Sequence, residues 1–380
     1  MTRGAAVCLA LAALMGGLSG RSAVAMTLIS RGVPAFASTG KASDANDSDY
    51  NTYWRSSRLP ATLAFDLSSV DPSHRNRILL VWYNDPTYSY DHTLLGAVGY
   101  NNPGSYTVEG NAAPGGGNPP VEDWVVLATV KNNTVHSKEH VLNFTGYNWV
   151  RMNFTASDGS PRNADVLVNL DIYDVGSGID DGWLFTGDSI TANGMGHTNF
   201  QDARSESFGN QVNSIAQITP PQENAGMPGW ISAGALPYMP AWLQAFPGKF
   251  VAISFGTNDA AGAAPPSVFY TNLSRLLGEV VAAGKTPVVP TIPWSRDPTH
   301  AANIPGLNTE IRKLYSKNHC ALPGPDLYEL FKSHPELISA DNVHPTDAGY
   351  AELRSSWART AATIYSAGGR GTCGPIGANH

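Results

Sequence analysis

The chain changes its hydrophobic pattern once, at the small and Gly-rich stretch that ends in Asp180-Asp181-Gly182, and this limits its fold more than any other feature. Ahead of that point, short alternating runs recur: Thr62–Leu67, Ile78–Tyr83, Ser105–Glu109, Trp124–Ala128, Trp149–Phe154 and Asp165–Tyr173. Turn clusters such as Asn101-Asn102-Pro103-Gly104 separate them. Many short strands without a long helix predict an all-β sandwich over residues 26–174. Residues 175–182 read as a linker. Beyond them, over residues 183–380, strands lead into motifs and then helices. Trp183–Thr186 runs into Gly187-Asp188-Ser189, and Phe250–Phe255 into Gly256-Thr257-Asn258-Asp259. A helix is predicted from about Pro265 to Ala283, a strand over Pro287–Ile292, and helices over Gly306–Lys317 and Asp347–Tyr365. That alternation predicts a parallel α/β sheet covered on both faces, with ligands at the carboxyl ends of its strands.

Residues 1–25 stand apart. Arg3 precedes an apolar run, Ala5–Met15, and Ala23-Val24-Ala25 offers a small-x-small cleavage site. This predicts a secretory signal peptide and an exported mature protein. The apolar run is shorter than the ~20 residues a membrane span needs, and no later segment is long and apolar enough. Without this segment the chain has 22 basic against 31 acidic residues, a net charge of −9. No basic stripe is present to neutralise a phosphate backbone, so nucleic acid is not an expected partner. With 14% charged and 42% hydrophobic residues, the composition is that of a folded, loop-rich protein. Of three cysteines, Cys320 and Cys373 lie beyond the signal segment, and an oxidising compartment favours a bridge between them.

Four motifs carry chemistry. A serine that attacks an ester needs a base, a group to orient that base, and donors for the developing oxyanion. Ser189 follows a strand and a Gly-Asp pair, at the start of a predicted helix whose backbone N–H groups can face an oxyanion. In Asp341-Asn342-Val343-His344-Pro345, a carboxylate three residues ahead of an imidazole can fix its tautomer. Asn258 puts an amide donor at a strand's carboxyl end, and Asn224-Ala225-Gly226-Met227-Pro228-Gly229 is a backbone that a substrate can approach closely. No Gly-x-Ser-x-Gly elbow is present, which argues against the α/β-hydrolase arrangement.

Taken in order, these motifs resemble the four blocks of the SGNH or GDSL hydrolase family, over roughly residues 180–368. The resemblance implies a flavodoxin-like three-layer fold. It also implies that Ser189 is nucleophile and first oxyanion donor, that Asp341 and His344 complete the triad, and that Gly229 and Asn258 donate to the oxyanion. Pro228 stands where the family often has a small polar residue, so Gly226 is retained beside Gly229 as a candidate donor. The implied reaction passes through an acyl-enzyme and needs no catalytic cofactor. Met195, His197, Asn199 and Phe200 fall in a stretch that can line the site.

Residues 28–174 resemble discoidin-type, galactose-binding-like modules, a β-sandwich (jelly-roll) fold. The carrying stretches are Gly32–Ala35, Asn46–Trp54, Ala64–Leu67, Tyr106–Gly110 and Trp149–Met152. Such modules often bind glycans and hold a structural Ca²⁺, for which Asp47, Asp49 and Thr52, with Asp171, offer hard oxygen ligands. An Asx-rich turn without metal is the other reading of those residues. Trp54, Trp82, Trp124 and Trp149 are assigned to the core. Tyr88, Tyr90, Tyr100 and His92 are assigned to a sugar platform. Together these readings predict a secreted carbohydrate esterase acting on an acylated polysaccharide. A polysaccharide O-acetyltransferase with the same triad, a lipase or lysophospholipase, and a non-catalytic glycan-binding protein are the alternatives.

Overall fold

The computed structural model describes residues 26–84, 90–95, 101–159, 165–179, 181–196, 206–317 and 320–367. In the first half, the strands are β1 (Thr27–Leu28), β2 (Ala35–Ala37), β3 (Trp54–Arg55), β4 (Ala61–Asp66), β5 (Arg77–Tyr83), β6 (Pro103–Asn111), β7 (Val125–Val130), β8 (Ser137–Asn143), β9 (Trp149–Ser157) and β10 (Leu167–Asp174), with a one-turn helix α1 (His92–Leu95) between β5 and β6. They make two antiparallel sheets. One runs β1-β10-β5-β8 with β3 paired to β10, and the other runs β2-β4-β9-β6-β7.

Period-two alternation explains how the sheets meet. Leu63 and Phe65 of β4 and Met152 and Phe154 of β9 point into the same core as Leu80 and Trp82 of β5 and Leu170 and Ile172 of β10. Strand β5 is apolar from Ile78 onward because its other face is covered too, where Leu79, Val81 and Tyr83 pack with Met26, Tyr50 and Val175. The β-rich expectation therefore holds as two antiparallel sheets about one core, in a strand order not specific to a jelly-roll. Trp54, Trp82 and Trp149 are buried in it. Trp124 is not: it is partly exposed, with the Arg151 guanidinium 4.0 Å above its ring. Strand β8 gave no sequence signal, because Lys138, Glu139 and His140 break any apolar alternation.

The second half is β11 (Trp183–Gly187), α2 (Ser189–Gly194), α3 (Phe208–Ala216), β12 (Gln222–Gly226), α4 (Ser232–Ala235), α5 (Met239–Ala245), β13 (Phe250–Ser254), α6 (Thr257–Ala261), α7 (Pro266–Ala282), β14 (Thr286–Val289), α8 (Pro298–Lys317), β15 (Leu322–Pro323), α9 (Leu327–Ser333) and α10 (Asp347–Ser366). The strands are parallel, in the order β12-β11-β13-β14-β15. The first strand thus lies between the second and the third, which is the flavodoxin-like order, with its switch point at β11 and β13. Trp183, Phe185 and Phe250 face Phe208 of α3, Phe331 of α9 and Trp357 of α10. Leu184, Val251 and Ile253 face the opposite layer, among Trp242 of α5, Leu273 of α7 and Ile311 of α8. This gives helices on both faces, as expected. Helix α8 begins at Pro298 rather than Gly306, and carries Pro305 inside it. Strand β14 ends at Val289 rather than Ile292.

The stretch between the halves is tied down rather than loose. Val175 is fully buried. The Asp181 carboxylate accepts the Met26 N–H at 2.9 Å, and its carbonyl accepts the Tyr365 hydroxyl at 3.1 Å. Strand β8 packs beside β12, the edge strand of the parallel sheet. Cys320 is disulfide-bonded, and Cys373 lies outside the described residues. Among the described residues, no helix is long and apolar enough to cross a membrane.

Candidate active site

Ser189 opens α2 directly after β11. The Asp188 carboxylate caps that turn by accepting the Ile190 N–H at 3.0 Å, which fixes where the serine emerges. The Ser189 hydroxyl lies 2.8 Å from His344 Nε2. On the other side of the ring, Nδ1 lies 2.7 Å from an Asp341 carboxylate oxygen. The other oxygen of Asp341 accepts the N–H groups of Val343 and His344, both at 2.9 Å, and the Ser339 hydroxyl at 2.7 Å. Burial works against the charged carboxylate, but these bonds prevail and hold Asp341 well below the ordinary carboxylate range. Asn342 takes a left-handed conformation (φ 68°) between the two residues, and its carbonyl accepts the Arg296 N–H at 2.9 Å. The loop is therefore held from outside as well as by its own acid.

The candidate oxyanion donors converge from two strands. Asn258 lies in the first turn of α6, after β13, and its amide donates to the Trp230 carbonyl at 3.0 Å. That bond uses one of its two N–H groups and orients the other. Gly229 is exposed, with φ 80°, and a Cβ there would meet nothing within 4 Å. Among the described residues, no acceptor takes the backbone N–H of Ser189 or Gly229. Gly226 is different. Its N–H is already accepted by Asn224 Oδ1 at 3.0 Å, and a Cβ there would lie 2.2 Å from the Ala192 nitrogen. Gly226 is a packing glycine against α2, which leaves Gly229 as the candidate backbone donor of that segment.

Two further acids stand beneath the site. Burial pushes Asp188 up to about 6, opposed by the Ile190 N–H, the Thr257 hydroxyl and the charge of His344. Asp259 is raised by burial as well, although Ser232 donates to it from both N–H and hydroxyl, at 2.9 and 2.6 Å. These Ser232 contacts fasten α4 to α6.

The remaining expectations fare differently. Asp47, Asp49 and Thr52 are spent on one another: the Thr52 hydroxyl donates to Asp47 at 2.7 Å, and the Asp49 N–H to Asp47 at 3.0 Å. This is the Asx-turn arrangement. Asp171 faces Arg31 at 2.8 Å and the Tyr50 hydroxyl at 2.6 Å instead. Among the described residues, no three His, Cys, Asp or Glu side chains are placed to hold a metal. Tyr90 is not a surface platform. It is 2% exposed, and its hydroxyl donates to Glu223 at 2.9 Å. Tyr88 and Tyr100 lie outside the described residues, as do His197, Asn199, Phe200 and the His92 side chain. Met195 is buried behind α2, against Phe208 and Leu353. Sequence reasoning missed Asn224 as a residue that joins elements, and Ser339 as a partner of Asp341. A polar strand of the sequence Gln-Glu-Asn at a sheet edge was the available signal for the first.

A hydroxyl, an imidazole and a carboxylate in line, beside amide donors at the switch point of a parallel sheet, are the parts of an ester hydrolase, and that is the class to which this protein belongs. More particularly, residues 185–352 match the model of the GDSL-like lipase/acylhydrolase family. No curated protein matches the chain. Among solved structures, it is similar to a lipase/acylhydrolase from Enterococcus faecalis (25% identity, 49% of this chain and 96% of that one, TM-score 0.40). It is also similar to an acetylxylan esterase from Geobacillus stearothermophilus (17%, 48% and 95%, 0.39) and to a psychrotrophic esterase from Pseudoalteromonas sp. (18%, 49% and 100%, 0.41).

Proposed function

We propose that this is a secreted serine esterase that removes acetyl or other short acyl groups from a polysaccharide through an acyl-enzyme. One observation carries the reading: the unbroken path from the Ser189 hydroxyl through His344 to Asp341, at 2.8 and 2.7 Å. His344 Nε2 takes the hydroxyl proton as Ser189 Oγ bonds to the ester carbonyl carbon. The carbonyl oxygen becomes an oxyanion, held by the N–H groups of Ser189 and Gly229 and by the free N–H of Asn258. The carbon–oxygen bond to the alcohol then breaks, and the alcohol leaves with the proton from His344. Water gives a proton to the same nitrogen, attacks the acyl-serine, and releases the carboxylic acid and Ser189. Asp341 keeps the imidazole in one tautomer and steadies its positive form.

Two features support a ring-shaped alcohol as the leaving group. Beside Gly229, Trp230 is partly exposed, and Ile231 and Tyr238 are 45% and 37% exposed. Aromatic surface next to the reacting carbon suits the apolar face of a sugar. The discoidin-like character of residues 28–174 points the same way, and the signal-like residues 1–25 support export. Acetate release from acetylated polysaccharides and from p-nitrophenyl acetate, with native protein and Ser189→Ala, tests the proposal. Release that collapses in a folded Ser189→Ala is the expected result. Equal release by both proteins, or none by either, rejects it.

A further inference from the structure

We infer that His136, contributed by the β half, is a positioning residue for this reaction: it holds the strand from which the Gly229 loop springs. The inference rests on the esterase reading. His136 lies just before β8 and is 4% exposed. Its Nε2 donates to the carbonyl of Asn224 at 3.0 Å, and its Nδ1 faces the carbonyl of Asn84, in its own half, at 3.3 Å. Carbonyl oxygens only accept, so each contact needs the proton on the nitrogen that makes it. The shorter contact is the one that crosses between the halves.

What it crosses to is specific. Asn224 is the residue on which the site's two walls meet. Its side-chain amide donates to the Ala192 carbonyl in the Ser189 helix at 2.9 Å, and its side-chain oxygen accepts the Gly226 N–H at 3.0 Å. Fixing the Asn224 backbone therefore fixes the start of the turn that carries Gly229 relative to Ser189. A second line from the β half ends in the same place. Tyr90 packs edge-on against His136 (5.8 Å) and against Trp242 (5.7 Å), and Trp242 stacks with Trp230, the residue after Gly229 (5.9 Å). The Tyr90 hydroxyl donates to Glu223, the neighbour of Asn224. An oxyanion donor acts only if it is preset, and a misplacement of about 1 Å costs on the order of 10²-fold in rate.

The test compares His136→Gln, His136→Asn and His136→Phe in the full-length protein. Gln can put its amide N–H where Nε2 stands and keep the bond to Asn224, whereas Asn reaches only the Nδ1 position, facing Asn84. Phe keeps the ring contact with Tyr90 and loses both ring nitrogens. Leu63→Ala, in the β core and away from the site, is a control for lost stability. For p-nitrophenyl acetate, the expected result is a kcat about tenfold lower in the Phe and Asn variants, with KM within about twofold and kcat largely recovered in Gln. Hydrogen exchange over residues 222–230 should quicken in Phe and Asn but not in Leu63→Ala. Unchanged exchange and kcat in His136→Phe, or equal losses in Gln and Asn, overturn the inference. If native protein shows no Ser189-dependent turnover, the esterase reading fails, and the role of His136 in that reaction goes with it. That failure is recognised because exchange over 222–230 still responds to His136→Phe.

Discussion

The side-chain amide of Asn224 donates to the backbone carbonyl of Ala192 at 2.9 Å, so the strand leading to Gly229 and the helix opening at Ser189 share a part-buried joint. Asn224→Asp keeps the acceptor for the Gly226 N–H and removes the donor to Ala192. A part-buried bond lost in this way costs about 1 kcal/mol. Asn224→Asp is expected to melt several degrees lower and to lose about tenfold or more in kcat, measured well below its melting point. A fall in melting temperature with kcat unchanged rejects the idea that the joint aligns the two walls.

The two ends of the imidazole make separable predictions. Ser189→Ala removes the nucleophile, and Asp341→Asn leaves a neutral group that favours the wrong tautomer of His344. Each is expected to lower kcat by about 10³–10⁴-fold on a small ester. Melting should move less in Ser189→Ala, because Asp341 also organises Ser339, Val343 and the His344 backbone. Steady-state rates and thermal melts on the same preparations check both statements.

Asn258→Ala is expected to lower kcat by about 10²–10³-fold, with KM little changed. The neighbouring glycines should part company. Gly229→Ala meets no atom but must hold φ 80°, a cost of about 1 kcal/mol, so it should fold. Gly226→Ala drives a Cβ to 2.2 Å from the Ala192 nitrogen and should express poorly or melt much lower. Equal melting of the two variants contradicts the division between a donor glycine and a packing glycine.

Stability should depend on pH through Glu223. Burial pushes this carboxyl up to about 7 from an ordinary 4.5, with Tyr90 opposing. The folded protein therefore holds the proton more tightly than the unfolded chain. The stabilisation is complete below about 4.5 and fades as the pH rises through 7. Glu223→Gln cannot lose that proton, and its amide oxygen can still accept from Tyr90. Relative to the native protein, the variant should gain melting temperature between pH 5 and pH 8. A gap that stays constant over that range shows that Glu223 is not the group responsible.

Where the chemistry is local, the sequence was readable. Ser189 sits directly after an apolar strand, and Asp341 and His344 are three residues apart on one loop, so each motif could be placed without knowing the rest. The choice between Gly226 and Gly229 was not readable, because it turns on what Asn224 does across the sheet. Strand β12, Gln222-Glu223-Asn224-Ala225-Gly226, is wholly buried yet mostly polar, and apolar periodicity cannot reveal it. Tyr90 departs from expectation for a related reason. A tyrosine in a loop-like stretch suggests solvent, but here the second half supplies Glu223 and Trp242 to bury it. The same holds for Trp124, whose strand-like surroundings hide the Arg151 side chain that covers it.

Ser189 and His344 are separated by 155 positions along the chain, as are Met26 and Asp181, which close the β half onto the stretch after it. Contacts so distant in sequence are made late, since loop closure must come before they reward it. A ribosome-bound or partly refolded chain can hold much of its secondary structure while its serine has no base. Recovery of turnover after dilution from denaturant should therefore lag behind recovery of the helical signal, and the reactive centre comes into being only when the last helix has docked.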